Sequence, residues 1–354
     1  MLEKIIEEFS GFDPLQKIKN TKKPVLLYGM GNCAEKMMAI CKQNNIQIDG
    51  VFASDGFKTG KIFLGFEVVS VSSLKDLYPQ GFIALICFGC PSADMKRYIA
   101  RVNEVGGEVY MPHLPLFGGE VFTYSHFIKN VDDIKKAYSL LSDEASKDLY
   151  VSLIKYFLTW DYSYLIDRET NEEIYPRCFD GVLPKTAIDG GAYRGDTVIS
   201  ITEKFPTINK FYAFEPDSAN FKKLSEVKLE GVELINVAKG LYSSEQTLHF
   251  DALHNRGSHF TDEGEEVAVC SIDGAVSEKI DLIKLDVEGC EAEALIGATK
   301  TIKSYHPALY ISLYHKTDDF YSLILQINNI DPTYEFSLKR EDVCPAWDII
   351  LLAK

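Results

Sequence analysis

The feature that most constrains the fold is the succession of a strand, a glycine turn and a helix, which occurs twice in the chain. In the first half, an apolar run at 24–28 leads into a glycine turn at 29–31, and a helical pattern follows over about 34–44. In the second half, a short strand pattern leads into a glycine-rich turn at 190–195 and a helical pattern at 198–204. Strand, turn and helix in this order form the βα units of a parallel, doubly wound sheet. The sequence therefore predicts an α/β fold with two Rossmann-like domains.

The length of 354 residues accommodates two domains of ordinary size. We expect a Rossmann-like, nucleotide-binding-type domain over residues 1–128 and a second doubly wound domain over residues 185–354. Between them, residues 129–184 place apolar side chains at helical spacing, which predicts a helical connector. Strand-like runs at 334–338 and 347–352 close the chain and could pair antiparallel.

Charge and composition argue against several classes of partner. The 37 basic and 52 acidic residues give a net charge of −15 without a long basic cluster, so nucleic acid is not expected as a partner. No apolar run approaches the ~20 residues that span a bilayer. The acidic, amphipathic N-terminus is unlike a targeting signal, so we expect a cytoplasmic protein. The eight cysteines are expected to be reduced thiols, and a homo-oligomer stays open.

The strongest functional motif is the glycine-rich turn of the second half. Glycine is needed where the backbone turns sharply and approaches a ligand closely, and the helix that follows would point its N-terminus at that ligand. We expect six residues of this turn to bind a cofactor: Asp189, Gly190, Gly191, Gly195, Asp196 and Thr197.

The next strand ends in an acid, Glu215, which is followed by Pro216 and Asp217. A carboxylate about 20 residues past the glycine turn can accept both hydroxyls of a ribose. Asn236, at the end of the strand after that, is a further candidate for the same site. This geometry serves NAD and S-adenosylmethionine equally, so it predicts an adenosine but not the chemistry.

A third strand pattern, from Asp281 onward, also ends in charges. If this strand extends to Glu288, then Lys284, Asp286 and Glu288 share one face at a period of two. Charged groups at the C-terminal edge of a parallel sheet lie where ligands bind in such folds.

Together these segments resemble the FkbM family of S-adenosylmethionine-dependent methyltransferases in order and spacing. The resemblance covers about residues 185–354 and rests on four segments: DGGAYRGDT, FEPDSANF, IDLIKLDVEGCEAEALIGA and HPALYISLYHK. It implies a seven-stranded methyltransferase fold whose last strands form an antiparallel hairpin. It also implies S-adenosylmethionine as cofactor and transfer of a methyl group to a hydroxyl, often on a sugar or a natural product.

The resemblance carries specific residues across. Asp189, Gly191 and Gly195 match the cofactor loop, and Glu215 matches the acid that binds the ribose. Two further residues, Asp286 and Glu288, match the acidic end of the third strand. The acceptor is then expected to be a hydroxyl of a small molecule or a sugar or glycan.

Three residues are catalytic candidates: Asp286, Glu288 and His315. The hypothesis is that Asp286, with help from His315, accepts the proton of the acceptor hydroxyl, because both follow strands whose C-terminal ends should border the methyl group. Glu288 could instead orient backbone amides or bond Lys284. No metal is expected, although Asp286, Glu288 and His315 could ligate a hard divalent cation.

Three further histidines, His249, His254 and His259, are interpreted as part of a substrate-side loop.

The first glycine turn leaves a rival function open. Gly29 and Gly31 fit the dinucleotide pattern, and Asp55 ends the next strand at a plausible distance. The chain could therefore bind NAD or a sugar nucleotide here and perform redox or epimerase-type sugar chemistry. A binding or scaffolding role, or a Rossmann-like domain with an empty cleft, fits the same residues.

Overall fold

A computed structural model describes residues 2–57, 59–117, 120–166, 168, 181, 183–253, 258–261 and 264–354. Its strands form three sheets, of six, four and seven strands. The two larger sheets are mostly parallel and carry helices in their connections, so the predicted α/β class is confirmed.

The six-stranded sheet belongs to the first third of the chain and has the order β3-β4-β2-β1-β5-β6. Its strands are β1 (Val25–Tyr28), β2 (Gly50–Ala53), β3 (Ile62–Phe63), β4 (Phe66–Ser70), β5 (Phe82–Ile86) and β6 (Gly107–Tyr110). The accompanying helices are α1 (Leu2–Glu8), α2 (Pro14–Lys19), α3 (Asn32–Gln43), α4 (Leu74–Leu77) and α5 (Ser92–Glu104). Only the short hairpin of β3 with β4 is antiparallel. Strand β1 lies at the centre of the sheet and is completely buried, as expected for an apolar strand covered on both faces.

The middle of the chain is helical. It contains α6 (Tyr124–Lys129), α7 (Val131–Leu140) and α8 (Glu144–Thr159). Asp143 caps α8, because its carboxylate accepts a hydrogen bond from the Ser146 N–H at 2.8 Å. Eleven of the 16 residues of α8 are buried, which is typical of a helix enclosed by the core on most sides.

The seven-stranded sheet has the order β16-β17-β15-β14-β7-β8-β9. Its strands are β7 (Thr186–Gly190), β8 (Lys210–Phe214), β9 (Glu233–Val237), β14 (Leu282–Leu285), β15 (Ala308–Ser312), β16 (Phe336–Arg340) and β17 (Ile349–Ala353). The helices are α9 (Asp196–Lys204), α10 (Ser218–Leu224), α11 (Ile272–Ala275), α12 (Glu291–Ile296), α13 (Thr299–Tyr305) and α14 (Asp319–Ile330). Strand β17 pairs antiparallel with β15 and β16, so the predicted closing hairpin is confirmed.

A small sheet is inserted between β9 and β14. It consists of β10 (Gly240–Leu241), β11 (Gln246–Asp251), β12 (His259–Phe260) and β13 (Glu265–Cys270). No strand pattern in the sequence predicts this sheet.

The first domain packs directly on the last turns of the second. Cys90 and Cys344 exchange two backbone hydrogen bonds, of 3.0 and 2.9 Å, and the Ser92 N–H donates to the Asp342 carboxylate at 2.9 Å. One hydrophobic core cluster also runs through both sheets and the helical middle. The two domains therefore share a packed interface.

Among the described residues, every helix is too short or too polar to cross a bilayer.

Candidate functional site

The glycine turn after β7 is tightly packed against the end of β14. Gly191 and Gly195 have φ values of +76° and +89°, in the left-handed region that glycine occupies at little cost. A Cβ added to Gly191 would lie 2.0 Å from the carbonyl oxygen of Asp286, which is backbone and cannot rotate away. The cofactor loop predicted from the sequence therefore touches the predicted catalytic strand end.

A buried charge cluster lies beneath this turn. Lys284 is 3% exposed, and its Nζ lies 2.9 Å from Asp189 Oδ1 and 3.8 Å from Asp286 Oδ2. Burial raises the pKa of Asp189 to about 6, although Lys284 acts in the opposite direction. Burial alone would lower the pKa of Lys284, but the two carboxylates raise it. Because Asp189 is completely buried, the structure places it under the turn, as the partner of Lys284.

Glu215 lies next to the turn and holds it in place. Its Oε2 accepts the Tyr193 N–H at 2.8 Å, and its Oε1 accepts the Asp217 N–H at 2.9 Å. Burial raises the pKa of the Glu215 carboxyl to about 7. Each oxygen keeps a lone pair, so the carboxylate can still accept hydrogen bonds from a ligand.

The other residues predicted around this acid have different surroundings. Asp217 is fully buried and caps α10, accepting the Ala219 and Asn220 N–H groups at 2.9 and 3.0 Å. Asn236 lies in β9, beside β8, with a buried Oδ1 that has no hydrogen-bond partner among the described residues. Pro216 continues the turn between Glu215 and the cap and is partly exposed.

Asp196 and Thr197 are placed differently from the expectation. They begin α9 and line a separate depression of about 260 Å³ together with Lys204, Tyr310 and Glu341.

Strand β14, which contains Lys284, is shorter than the sequence pattern from Asp281 to Glu288 indicates. Strand β14 ends at Leu285, and the chain then turns through Glu288 and Gly289 with φ values of +54° and +91°. The interpretation that Lys284, Asp286 and Glu288 share one strand face is therefore wrong. The turn still brings the acids together, because it wraps Glu288 back toward the imidazole of His315.

His315 is the centre of a second buried charge cluster. Its Nδ1 lies 2.8 Å from Glu291 Oε1, and its Nε2 lies 3.2 Å from Glu288 Oε2 and 3.5 Å from Asp286 Oδ1. The imidazole is fully buried. Burial alone would lower the pKa of His315, but Glu291 and Glu288 raise it well above its ordinary value. The structure thus brings together all three catalytic candidates and adds Glu291.

The two candidate acids differ in their ionisation. Burial would raise the pKa of Asp286, but Lys284, His315 and the Tyr314 hydroxyl, which donates at 3.1 Å, lower it below its ordinary value. Burial raises the pKa of Glu288 to about 7, even though His315 acts against it. Asp286 is therefore a stable anion, whereas Glu288 changes its charge near neutral pH.

A metal ion has a candidate set of ligands here. Asp286, Glu291 and His315 each offer one ligand atom, and these atoms lie within 4.8 Å of one another. The set differs from the one named from the sequence, in which Glu288 takes the place of Glu291.

A cleft of about 1020 Å³ opens over this cluster, between the two domains. Glu288, Tyr314 and Asp348 line it from the second domain. Asn32 and Lys36, in the first turns of α3, line it from the first domain, and Phe117 lies between them and His315. His249 and His259 also lie on its wall, whereas His254 is outside the described residues.

The second nucleotide site predicted in the first domain stays a prediction. Gly29 has φ of +122° and lies against Cys87 and Phe88, and Gly31 is the N-cap of α3. Asp55 accepts the Ser72 N–H at 3.1 Å and lies 3.5 Å from Arg101 Nη2, so its carboxylate already has local partners.

The residues missed in the sequence are Glu291, Asp348, Lys36 and Phe117. Glu291 carried a signal, because it begins the helix three residues after Glu288 within the acidic motif. The others approach the site from separate parts of the chain, where no local pattern marks them.

A seven-stranded sheet with an antiparallel closing hairpin, a glycine turn after β7 and an acid after the neighbouring strand β8 is the arrangement of a methyltransferase-type domain. Residues 189–336 match the family model described as the Methyltransferase FkbM domain. This part of the chain is therefore similar to the methyltransferase domain of the FkbM family.

Solved structures agree on the fold. The chain is similar to the methyltransferase FkbM from Methylobacillus flagellatus KT, with a TM-score of 0.71 and 18% identity over 96% of this chain and 92% of that one. A rRNA methylase from Streptococcus thermophilus matches with a TM-score of 0.34 and 14% identity, over 52% of this chain and 96% of that one. The first match shows that the fold recurs over most of both chains, and the second is too distant to support an argument. No curated protein matches the chain.

Proposed function

We propose that the chain transfers a methyl group from S-adenosylmethionine to a hydroxyl of a small molecule or sugar. The observation that carries this proposal is the contact between the Gly191 turn and the Asp286 backbone, because it joins an adenosine-type loop to an acidic cleft. In this arrangement, a cofactor on the turn would present its reactive end to the groups around His315.

The residues around the turn fit such a cofactor. The Glu215 carboxylate has a free lone pair on each oxygen for two ribose hydroxyls, and Asn236 has a buried Oδ1 that lacks a partner. Gly191 lets the turn lie directly against the end of β14, because a Cβ at this position would lie 2.0 Å from the Asp286 carbonyl oxygen. Asp189 contributes indirectly, by fixing Lys284 beneath the turn.

The chemistry divides between the cofactor and the protein. When bound, S-adenosylmethionine supplies a methyl group that its sulfonium charge already activates. The protein then has to align the acceptor oxygen and remove its proton. Among the acids of the cluster, Glu288 suits proton removal best, because it lines the cleft and has a pKa of about 7. The sequence had favoured Asp286, whose lowered pKa makes it a weaker base.

The remaining cluster residues hold Glu288 and the acceptor in position. His315 lies 3.2 Å from one oxygen of Glu288 and leaves the other for the acceptor hydroxyl. Glu291 fixes the opposite nitrogen of the imidazole at 2.8 Å and also accepts the Val287 N–H. Asp286 remains ionised and accepts from Tyr314. Glu291 is thus a positioning residue.

Calorimetric binding of S-adenosylhomocysteine and of NAD tests the cofactor. We expect the first ligand to bind and Glu215→Gln to weaken it roughly tenfold or more, because a hydrogen bond to a charged group contributes about 1.5–3 kcal/mol. Glu203→Gln, at an exposed acid of α9, is the matched control and should bind as the wild type does. Binding of NAD in place of S-adenosylhomocysteine would reverse the proposal in favour of redox or epimerase-type chemistry.

Methyl transfer is tested with S-adenosylmethionine and a panel of neutral and phosphorylated sugars, with mass-spectrometric detection of the methylated product. A general base typically contributes roughly 10²- to 10⁴-fold, so Glu288→Gln should lose that much while still binding S-adenosylhomocysteine. Asp286→Asn distinguishes the two acids. If Asp286→Asn loses the rate and Glu288→Gln keeps it, the proton goes to Asp286, as the sequence suggested.

A further inference from the structure

The cleft between the domains is larger than a single sugar requires. Its volume of about 1020 Å³ is at the upper end of the ~300–1,000 Å³ that small-molecule sites usually occupy. The candidate base Glu288 and the acid Asp348 are only two of the residues that line the cleft, so the rest of its lining can bind another portion of the acceptor.

Two lysines from different parts of the chain, Lys36 and Lys316, line the cleft. Lys36 Nζ lies 6.0 Å from the centre of the Phe117 ring. The Cβ position of Gly289 is 3.2 Å from Phe117 Cβ and 3.3 Å from Lys316 Cε, so Lys316 also lies near this aromatic side chain.

In the part of the chain that the structure describes, neither Lys36 nor Lys316 forms an ion pair with a carboxylate. The only hydrogen-bond acceptor of Lys36 Nζ there is the Leu116 carbonyl oxygen, at 2.5 Å. Burial lowers the pKa of Lys36, so an anion beside it would restore the stability of its charged form. In a chain with a net charge of −15, two lysines that line one cleft without a close carboxylate partner favour an anionic ligand.

The cleft also has an aromatic lining. Trp347, Tyr242 and Phe260 contribute to it, and the indole Nε1 of Trp347 is buried without a hydrogen-bond partner among the described residues. Aromatic faces with one unused donor are suited to a planar or ring-shaped group that carries hydrogen-bond acceptors.

We propose that the acceptor carries a phosphate or diphosphate group, which Lys36 and Lys316 bind while the hydroxyl to be methylated lies at Glu288. This inference rests on the proposed function and names its substrate class: a phosphorylated sugar, with a nucleoside diphosphate sugar as the member that fills the cleft. Lysines bind phosphate as point charges. Because Glu288 and Asp348 repel an anion, the phosphate is directed to the lysine end and the hydroxyl to the acidic end.

The proposal also gives the first domain a role. Lys36 and Asn32 belong to the first turns of α3, the helix that follows the first glycine turn. The same element that resembles a dinucleotide site in the sequence would then recognise the phosphate of the acceptor. Phe117 fixes the geometry of this wall, because its N–H donates to the His315 carbonyl oxygen at 3.1 Å.

The test uses the full chain saturated with S-adenosylhomocysteine, into which inorganic pyrophosphate, uridine diphosphate or the neutral sugar trehalose is titrated calorimetrically. We expect the two phosphates to bind and trehalose to bind far more weakly. Lys36→Met and Lys316→Met should each weaken pyrophosphate roughly tenfold or more, and the double variant should abolish its binding. Lys42→Met is the matched control, since Lys42 is an exposed residue at the far end of α3.

Several outcomes would overturn the inference. These are failure of pyrophosphate and uridine diphosphate to bind the wild type, equal binding by the double variant, and equal weakening by Lys42→Met. Lys316→Met keeps the test decisive if Lys36→Met does not fold, because the Lys316 side chain is exposed. The affinity for S-adenosylhomocysteine, measured first on each variant, separates the two proposals. If it is intact while the phosphates fail to bind, only the substrate class is wrong, whereas its absence in the wild type refutes the methyltransferase site itself.

Discussion

Replacing Gly191 by alanine is the most direct test of the predicted cofactor turn. The added Cβ would lie 2.0 Å from the Asp286 carbonyl oxygen and 3.0 Å from its carbonyl carbon. Real Cβ atoms essentially never approach closer than 3.0 Å, so the turn and the end of β14 have to separate by at least 3.0 − 2.0 = 1.0 Å. No side-chain rotation can relieve this contact, because the backbone fixes the position of the Cβ and the Asp286 carbonyl is itself part of the backbone.

Two separate costs follow from this substitution. Alanine in the left-handed region costs about 1–2 kcal/mol in stability. The displacement moves the turn away from Asp286, and a misplacement of about 1 Å can cost roughly 10²-fold in activity. We therefore expect Gly191→Ala to bind S-adenosylhomocysteine at least about tenfold more weakly, which corresponds to about 1.4 kcal/mol.

Gly231→Ala isolates the second cost. Gly231 has φ of +73°, close to the +76° of Gly191, but a Cβ added there meets no atom within 4 Å. Both variants should lose similar stability from backbone strain, and only Gly191→Ala should lose ligand affinity. The measurements are calorimetric titration with S-adenosylhomocysteine and chemical denaturation. Wild-type affinity in Gly191→Ala, or an equal loss in Gly231→Ala, would refute the assignment of this turn to the cofactor.

Three further outcomes are expected from the buried charges. Lys284→Met should lower the free energy of unfolding in urea by about 3–5 kcal/mol, because it leaves the Asp189 carboxylate unpaired. Adding Asp189→Asn should restore much of this loss, and no recovery in the double variant would contradict the pairing. The Glu215 carboxyl has a pKa raised to about 7, so it is ionised above this pH. The affinity for S-adenosylhomocysteine should therefore fall about tenfold from pH 8 to pH 6. If Glu215→Gln keeps the pH dependence of the wild type, Glu215 is not the group that causes it. Glu291→Gln should lower the pKa of His315, because Glu291 raises that pKa through a 2.8 Å contact. The measurement is an NMR titration of the imidazole, and an unchanged titration would show that Glu291 does not position it.

The sequence predicted those parts of the fold and site that depend on short-range patterns. The glycine turn after β7 and the acid after β8 each follow a strand directly, so a local motif identified them and the parallel sheet brought them side by side. The closing hairpin was equally visible, because both of its strands are apolar runs. The small sheet that contains β11 and β13 was missed, since its strands alternate exposed and half-buried residues and lack a strong apolar pattern.

The interdomain part of the site could not be predicted from local patterns. Phe117 contacts His315, which is almost 200 residues away in the sequence. Lys36 lies near Phe117 although about 80 residues separate them. Such contacts depend on how two separately formed sheets pack, which neither propensity nor spacing encodes. The position of Glu288 beside the imidazole could not be predicted for a different reason. A continuous strand would have carried it along the sheet edge, but the left-handed turn at Glu288 and Gly289 folds it back to the imidazole.

The distribution of charge explains why the pKa values of two nearby acids shift in opposite directions. Lys284 pairs with Asp189 and lies near Asp286, whereas His315 pairs with Glu288 and Glu291. Asp286 lies near both cations, so its pKa falls below the ordinary value. Glu288 is near the imidazolium alone, and burial therefore prevails and raises its pKa to about 7. Environments that separate the pKa values of two nearby titratable groups favour different acid–base roles for them. In the proposed mechanism, the buried Lys284 beneath the glycine turn keeps Asp286 ionised and leaves Glu288 as the acid whose pKa suits a base.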